Sequence, residues 1–359
     1  MDDWDISSNH LFLSWGSIIS GERFLLRMIL VTGGAGYIGS HCVLRLLRDG
    51  KDVIVFDSLE LGHREIIDTL SEIDAPGRLV AFRQGDLKNR DDIRSLFSEF
   101  DIEAVVHFAA YSQVAESMKD PHKYYYNNVY GTLNLLGAML EAGVKRIVFS
   151  STAATYGEPD YVPIDENHPQ KPINPYGSSK LMVERIMDDY DRAYGLRSVR
   201  LRYFNVVGAD PSGKVGEWHD PETHLVPNIL KSKLGEGKTF SMFGTDYPTR
   251  DGTCVRDYID IEDLIDAHVL ALDYLEKGGA TDYFNLGTND GSTVREVFSV
   301  CEEVVGSEIP LQECARRPGD PATLVADNAK AKRVLGWEPK RTLKHSVSNA
   351  WDWERSGRR

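Results

Sequence analysis

Ile29-Leu30-Val31-Thr32-Gly33-Gly34-Ala35-Gly36-Tyr37-Ile38-Gly39 is a short apolar run that empties into a glycine-rich turn, and a helical pattern follows from Ser40 to Arg48. Strand, glycine turn and helix, in that order, is the context in which glycines cradle a pyrophosphate. The spacing is satisfied twice, as Gly-x-Gly-x-x-Gly through Gly34, Gly36 and Gly39 and as Gly-x-x-Gly-x-x-Gly through Gly33, Gly36 and Gly39. Glycines there permit the tight turn, the approach of backbone to phosphate and the close packing of helix on strand, while the helix N-terminus faces the negative charge. A second apolar strand, Asp52 to Phe56, ends at Asp57, 18 residues after Gly39, where an acid accepts from ribose hydroxyls. Asp57 would repel a 2′-phosphate, so the pattern favours NAD over NADP.

Outward from this unit, strand signals recur at Leu79 to Arg83, Ala104 to Phe108, Arg146 to Ser150 and Ser198 to Arg202. Helical stretches fall between them at Asn89 to Glu99, near Tyr124 to Glu141, and at Tyr176 to Tyr194. This alternation predicts an α/β fold, a doubly wound parallel sheet of Rossmann type, with ligands beyond the carboxyl ends of the strands. Asp86 and Leu87 after the third strand, and Phe108, Ala109 and Ala110 after the fourth, stand at such ends. Beyond residue 203 the texture becomes loop-rich: Pro211 to Pro227 reads as a polar connector, Phe240 to Gly244 as a short strand, and Asp260 to Leu275 as a helix. The expected organisation is an N-terminal extension over 1–27, a dinucleotide-binding domain over 28–203, and a smaller mixed α/β substrate-binding domain over 204–359, some segments of which return to the sheet.

With 42% hydrophobic and 27% charged residues in 359, the chain has ample material for a folded core. Its formal charge of −14 repels nucleic acid and anionic membranes, so an anionic ligand must meet a local concentration of Arg, Lys or helix N-termini. Cys42, Cys254, Cys301 and Cys314 are scattered, with no Cys-x-x-Cys spacing and no paired His pattern, so neither a zinc site nor a disulfide framework is expected, which fits a reducing cytoplasm. The apolar run Leu11 to Ser20 is preceded by Asp2, Asp3 and Asp5 and broken by Glu22, Arg23 and Arg27, so it reads as neither signal peptide nor anchor.

Tyr176-Gly177-Ser178-Ser179-Lys180 places a phenol and an ammonium one helical turn apart. Alone, such a pair is common on helix surfaces. A free tyrosine ionises only near pH ~10, so it serves as a base at neutral pH only where positive charge stabilises the phenolate. The strand end Ser150-Ser151-Thr152 adds three hydroxyls in a row, 24 residues before Tyr176 when counted from Thr152.

The glycine run, Asp57, Phe108-Ala109-Ala110, Asn127-Asn128, Ser150-Ser151-Thr152, Tyr176 with Lys180, and Arg202-Tyr203-Phe204-Asn205 together resemble the extended short-chain dehydrogenase/reductase family, over essentially all of Met28 to Trp353. Within it the resemblance is greatest to the sugar-nucleotide 4-epimerases. It implies reversible inversion at carbon 4 of a UDP-hexose, UDP-glucose to UDP-galactose, with NAD as cofactor, no metal, and a homodimer packed through the two long helices. Tyr176 would be base and then acid, Lys180 would lower its pKa and hold the nicotinamide ribose, and Thr152 would align the sugar oxygen. Gly33, Gly36, Tyr37, Ile38, Gly39, Asp57, Asp86, Leu87, Phe108, Ala109, Ala110, Asn127 and Tyr203 would complete the cofactor site. Residues matching Asn205, Leu225, Phe243, Arg256, Tyr258, Arg317 and Asp320 hold the nucleotide diphosphate in such epimerases. The chemistry agrees: guanidinium forks match phosphate oxygens, Phe243 can stack on a uracil, and Asp320 can accept from a ribose hydroxyl.

Two positions depart from the family pattern. Ser112 stands where some epimerases carry Lys, and Leu324 where others carry a large Tyr or a small Cys beside the sugar. Leu is intermediate in volume, so partial acceptance of UDP-N-acetylglucosamine is expected, and UDP-pentoses stay open. A 4,6-dehydratase is a rival, but relatives of that type carry an acid next to the strand-end Thr, whereas Thr152 is followed by Ala153 and Ala154. A non-catalytic dinucleotide sensor on the same fold would commonly lack the Tyr or the Lys.

Overall fold

The computed structural model describes residues 27–235, 239–317 and 321–358. Six strands, β1 (Met28–Thr32), β2 (Val53–Asp57), β3 (Leu79–Gln84), β4 (Ile102–His107), β5 (Arg146–Ser150) and β6 (Arg197–Tyr203), join a seventh, Asp282–Leu286, in one parallel sheet. Their order across it is Asp282–Leu286, β6, β5, β4, β1, β2, β3. The order reverses at β1, which opens a crevice at its carboxyl end where the glycine turn begins.

Alternation along the strands feeds two cores, one on each face of the sheet. Val31, Val55, Val106, Val148 and Val199 pack on one side with the helices Tyr37–Arg48 and Ile261–Glu276. Leu30, Ile54, Val105, Ile147 and Phe149 pack on the other with Arg90–Glu99, Thr132–Glu141 and Pro175–Tyr194. A third core is built only from residues beyond 203, with Val226, Ile229, Phe240, Met242, Val297 and Val347 at its centre.

The expected helix from Tyr124 to Glu141 is interrupted. A turn over Pro121–Tyr124 passes into a π-helical stretch, Tyr125–Gly131, before regular helix resumes over Thr132–Glu141. Asn128 lies in the π stretch: its carbonyl takes the Thr132 hydroxyl at 2.6 Å, and its side chain donates to the Tyr111 carbonyl and the Ser179 hydroxyl. Such bulges gather at functional sites because they re-aim side chains. The first helix starts at Tyr37 rather than Ser40, and Leu225–Leu234 begins inside the stretch read as a polar connector.

Candidate functional site

The glycine turn is held by backbone contacts that no side chain could share. Gly33 has φ +75°, and a Cβ there would lie 2.6 Å from the Ala109 nitrogen; a Cβ on Gly39 would lie 2.0 Å from the Gly33 carbonyl oxygen. Gly36 differs: the only atom within 4 Å of an added Cβ is the Gly33 oxygen at 3.5 Å, so this side of the turn is open. Gly36 also caps the helix Tyr37–Arg48, whose first turn has no side-chain cap and no acid. Unpaired amides and an open face make a cradle for an anion.

Asp57, at the end of β2, accepts from the amides of Ala35 at 3.0 Å and Leu59 at 2.9 Å, while burial raises its pKa. The Tyr37 hydroxyl donates to the Gly208 carbonyl at 2.7 Å, which ties the glycine turn to the start of the second region, and Ile38 packs on the first core. Ala109 donates its amide to the Thr32 carbonyl at 3.2 Å; Phe108 and Ala110 are half-buried beside it. Leu87 is buried in the second core, and Asp86 takes the Lys88 amide at 2.8 Å, closing the turn after β3. Asn127 donates to Asn128 at 3.0 Å, and it is Asn128, not Asn127, that is buried. Ser112 is exposed, and the Lys123 ammonium lies 4.1 Å from the centre of the neighbouring Tyr111 ring.

The helix Pro175–Tyr194 is set by sequence at its first turn. Asn174 accepts the Gly177 amide at 2.8 Å and Pro175 fills the first position, where its missing N–H is harmless. A Cβ on Gly177 would sit 2.3 Å from the Ala154 carbonyl, so only glycine lets this helix close on the turn that follows Thr152. That approach holds the first turn of the Tyr176 helix against the turn that follows Thr152. Burial raises the Tyr176 pKa and the Thr152 hydrogen bond opposes it.

Lys180 is buried, and its ammonium donates to the Ser150 carbonyl at 2.9 Å and stands 4.8 Å from the centre of the Phe149 ring. Burial lowers its pKa to about 7, against the charge of Glu184. The ammonium expected to act on Tyr176 is thus anchored at the end of β5, one helical turn along from the phenol. The Ser150 hydroxyl meets the Tyr203 hydroxyl at 2.6 Å, and burial raises the Tyr203 pKa.

One layer beneath is a network that sequence reading passed over. Glu184, one turn after Lys180, pairs with Arg202 at 2.5 Å and accepts from the Ser151 hydroxyl at 2.5 Å. Arg202 also donates to the Tyr156 hydroxyl at 2.9 Å, which donates to Asn285 at 2.6 Å on the seventh strand. Glu184 repeats the spacing of Tyr176 and Lys180 along one face, which was the available signal.

On the substrate side, Asn205 is the register partner of Tyr258, and its amide donates to the Asp257 carbonyl at 3.0 Å. Arg256 is the register partner of both Leu324 and Ser292. Asp257, unremarked from sequence, is fully buried and takes the Thr288 amide at 2.7 Å, the Thr288 hydroxyl at 2.8 Å and the Ala326 amide at 3.1 Å, which fixes the loops around Arg256. Leu225 begins the helix Leu225–Leu234 and packs on the third core, which also holds Tyr258. The Arg317 guanidinium lies 4.1 Å from the centre of the Phe243 ring, whereas Arg316 is tied to Asp246 at 2.6 Å. Asp320 lies outside the described residues.

The model of the family described as GDP-mannose 4,6 dehydratase matches residues 30–350. A UDP-glucose 4-epimerase of Streptococcus mutans is 52% identical over 331 residues, 91% of this chain and 97% of that one. The crystal structure of UDP-glucose 4-epimerase from Brucella ovis in complex with NAD is 42% identical, with a TM-score of 0.86 over 91% of this chain and 98% of that one. That of the Bifidobacterium longum UDP-glucose 4-epimerase in complex with NAD+ and UDP is 38% identical, with a TM-score of 0.87 over 92% and 98%.

Proposed function

Since the chain belongs to the UDP-glucose 4-epimerase family of extended short-chain dehydrogenases/reductases, we propose that it interconverts UDP-glucose and UDP-galactose with Tyr176 as the proton carrier. It is an NAD-dependent isomerase acting on a UDP-hexose. The residues present fit that cofactor: Gly36 leaves an open face before an uncapped helix N-terminus, and Asp57 is held by two amides where ribose hydroxyls would donate. NAD, when bound, takes the carbon-4 hydride and returns it.

Everything else is asked of the chain's own residues. Tyr176 takes the proton of the sugar 4-hydroxyl, then gives it back to the same oxygen after the 4-keto sugar has turned its other face. Thr152 hydrogen-bonds that oxygen and helps to align it. Lys180 holds the nicotinamide ribose from its place on Ser150. Asn205, Leu225, Phe243, Arg256, Tyr258, Arg317 and Asp320 hold the UDP, so the hexose alone is free to turn, and Leu324 sets the room around it. Gly33, Gly36, Tyr37, Ile38, Gly39, Asp57, Asp86, Leu87, Phe108, Ala109, Ala110, Asn127 and Tyr203 form the cofactor site. The dinucleotide domain runs over 28–203, and the substrate domain over 204–359 lends Asp282–Leu286 to its sheet.

The observation that carries this reading is the Gly177–Ala154 approach, which is too tight for any side chain and seats the start of the Tyr176 helix on the turn that follows Thr152. The test is formation of UDP-galactose from UDP-glucose without added oxidant. Tyr176→Phe should lower turnover by a factor of about 10²–10⁴, and a variant within a few-fold of wild type would refute the assignment.

A cytoplasmic role in galactose metabolism and a homodimer belong to the same proposal. Cys42, Cys301 and Cys314 form no disulfide, and no helix among the described residues is long and apolar enough to cross a membrane. Tyr126, Tyr130, Leu133, Met182 and Tyr194 are exposed on the two helical stretches expected at the dimer contact, and such a patch supports association.

A further inference from the structure

We propose that Glu217, His219, Glu222 and His224 form a binding site for one divalent transition-metal ion, zinc by the character of its ligands. The inference goes beyond the epimerase reading and does not depend on it. The four residues occur as Glu-x-His-x-x-Glu-x-His in the segment just before the helix Leu225–Leu234. Folding turns this spacing inward, so that one ligand atom from each lies within 4.8 Å of every other.

The separations are compatible with a coordination shell. His219 Nδ1 is 3.3 Å from Glu217 Oε1 and 3.8 Å from Glu222 Oε2; His224 Nδ1 is 2.8 Å from Glu217 Oε1 and 3.1 Å from Glu222 Oε1. A tetrahedral ion with bonds of about 2.0–2.1 Å sets its ligand atoms about 3.3 Å apart. The observed distances straddle that edge length.

Burial argues independently that something is meant to sit between them. Glu217 is only 4% exposed, and its Oε1, aimed into the cluster, has no hydrogen-bond partner; neither has Nδ1 of His219. Glu222 is oriented in advance: its Oε1 accepts the amides of Thr223 at 2.7 Å and His224 at 2.8 Å, the kind of outer support that metal-binding carboxylates have. Lys231 reaches the other Glu222 oxygen at 3.4 Å, one cation against two buried carboxylates. Two imidazole nitrogens with two carboxylate oxygens suit zinc and its neighbours rather than calcium or magnesium, which take oxygen ligands. Neutral imidazole nitrogens and ionised carboxylates are the forms that ligate, so ion binding weakens as the solution is made acidic.

Its position gives the ion a structural task. The His219 ring stands edge-on to Tyr37, the first residue of the glycine-turn helix, at 6.2 Å, and Leu225 follows His224 directly. An ion here would clamp the loop that runs from the cofactor turn to the proposed UDP segment.

The test uses the purified full chain with its retained cofactor. After treatment with EDTA and dialysis against zinc sulfate, wild type should hold about one zinc per chain by elemental analysis and melt at a higher temperature than the EDTA-treated form. His219→Asn/His224→Asn should bind zinc more than about 100-fold more weakly, with circular dichroism confirming that it is folded. Cobalt(II) loading of wild type gives a second readout that needs no variant: intense visible bands report tetrahedral N/O ligation, weak ones six-coordinate surface binding. Zinc content no higher in wild type than in the folded double variant, or a weak cobalt spectrum, would overturn the proposal.

Discussion

Lys180→Met should make the cofactor-stripped fold more stable at neutral pH, and less so as the solution is made alkaline. Lys180 is 4% exposed, and burial brings its pKa from 10.5 to about 7. Between those values the unfolded chain binds more protons than the native one, so the destabilisation due to Lys180 is complete below about pH 7 and fades as pH rises toward 10.5. Integrating the two titrations gives a penalty of roughly 4 kcal/mol at pH 7 and roughly 2 kcal/mol at pH 9. Methionine fills a similar volume without charge, and forfeits the hydrogen bond to the Ser150 carbonyl, worth about 1 kcal/mol. The variant should therefore exceed wild type by roughly 3 kcal/mol at pH 7 and roughly 1 kcal/mol at pH 9, while losing activity, as expected where a strained group serves function. Urea unfolding followed by circular dichroism at pH 7, 8 and 9 measures the difference. Groups common to both proteins, such as Asp260, cancel. A difference that does not change with pH, or a wild type more stable at pH 7, would show that the ammonium is not desolvated as described.

Glu184→Gln should destabilise the fold by about 3–5 kcal/mol in a thermal or urea melt, because Arg202, 3% exposed in its side chain, is left as an unmatched buried charge; adding Arg202→Met should recover most of the loss, and a single variant within 1 kcal/mol of wild type contradicts the account. Leu324→Tyr should reduce turnover of UDP-N-acetylglucosamine relative to UDP-glucose by about 10–200-fold, read as the ratio of kcat/KM values, and equal rates on both sugars in wild type would remove the preference assigned to this position. Tyr130→Glu with Met182→Glu should convert a dimer to a monomer in sedimentation, since both side chains are exposed on the proposed contact helices; an unchanged mass moves the contact elsewhere.

The sheet and the cofactor cradle were legible because local sequence determines them. The strand, the glycines and Asp57 lie within a single βαβ unit, and their spacing already encodes which backbone atoms approach. The pairing of Lys180 with Ser150 was not legible, since helical periodicity says which residues share a face but not what the facing strand offers. The same limit hid Glu184: its partner Arg202 lies on β6 and its hydrogen-bond donor Ser151 directly follows β5. The burial of Asn128 against Tyr111 was not legible either, because regular helical periodicity does not anticipate a π stretch. The His and Glu residues of 217–224 read as polar loop because a helix or strand period was sought, and a ligand set in a loop has none.

The chain by itself sets Tyr176 against the task proposed for it. Burial raises the phenol's pKa, the Thr152 hydroxyl only partly opposes this, and Lys180 is directed to the Ser150 carbonyl with its own charge weakened to a pKa of about 7. A phenol in that setting keeps its proton at neutral pH. Positive charge must arrive with the bound ligands for the phenolate to form. The burial that looks unfavourable for a base therefore ties the base to occupancy: it withholds the phenolate until the site is filled. A fully exposed Tyr-Lys pair, the bland reading of the sequence, would ionise with its ordinary pKa whether or not a sugar was present, and would have no such dependence on occupancy.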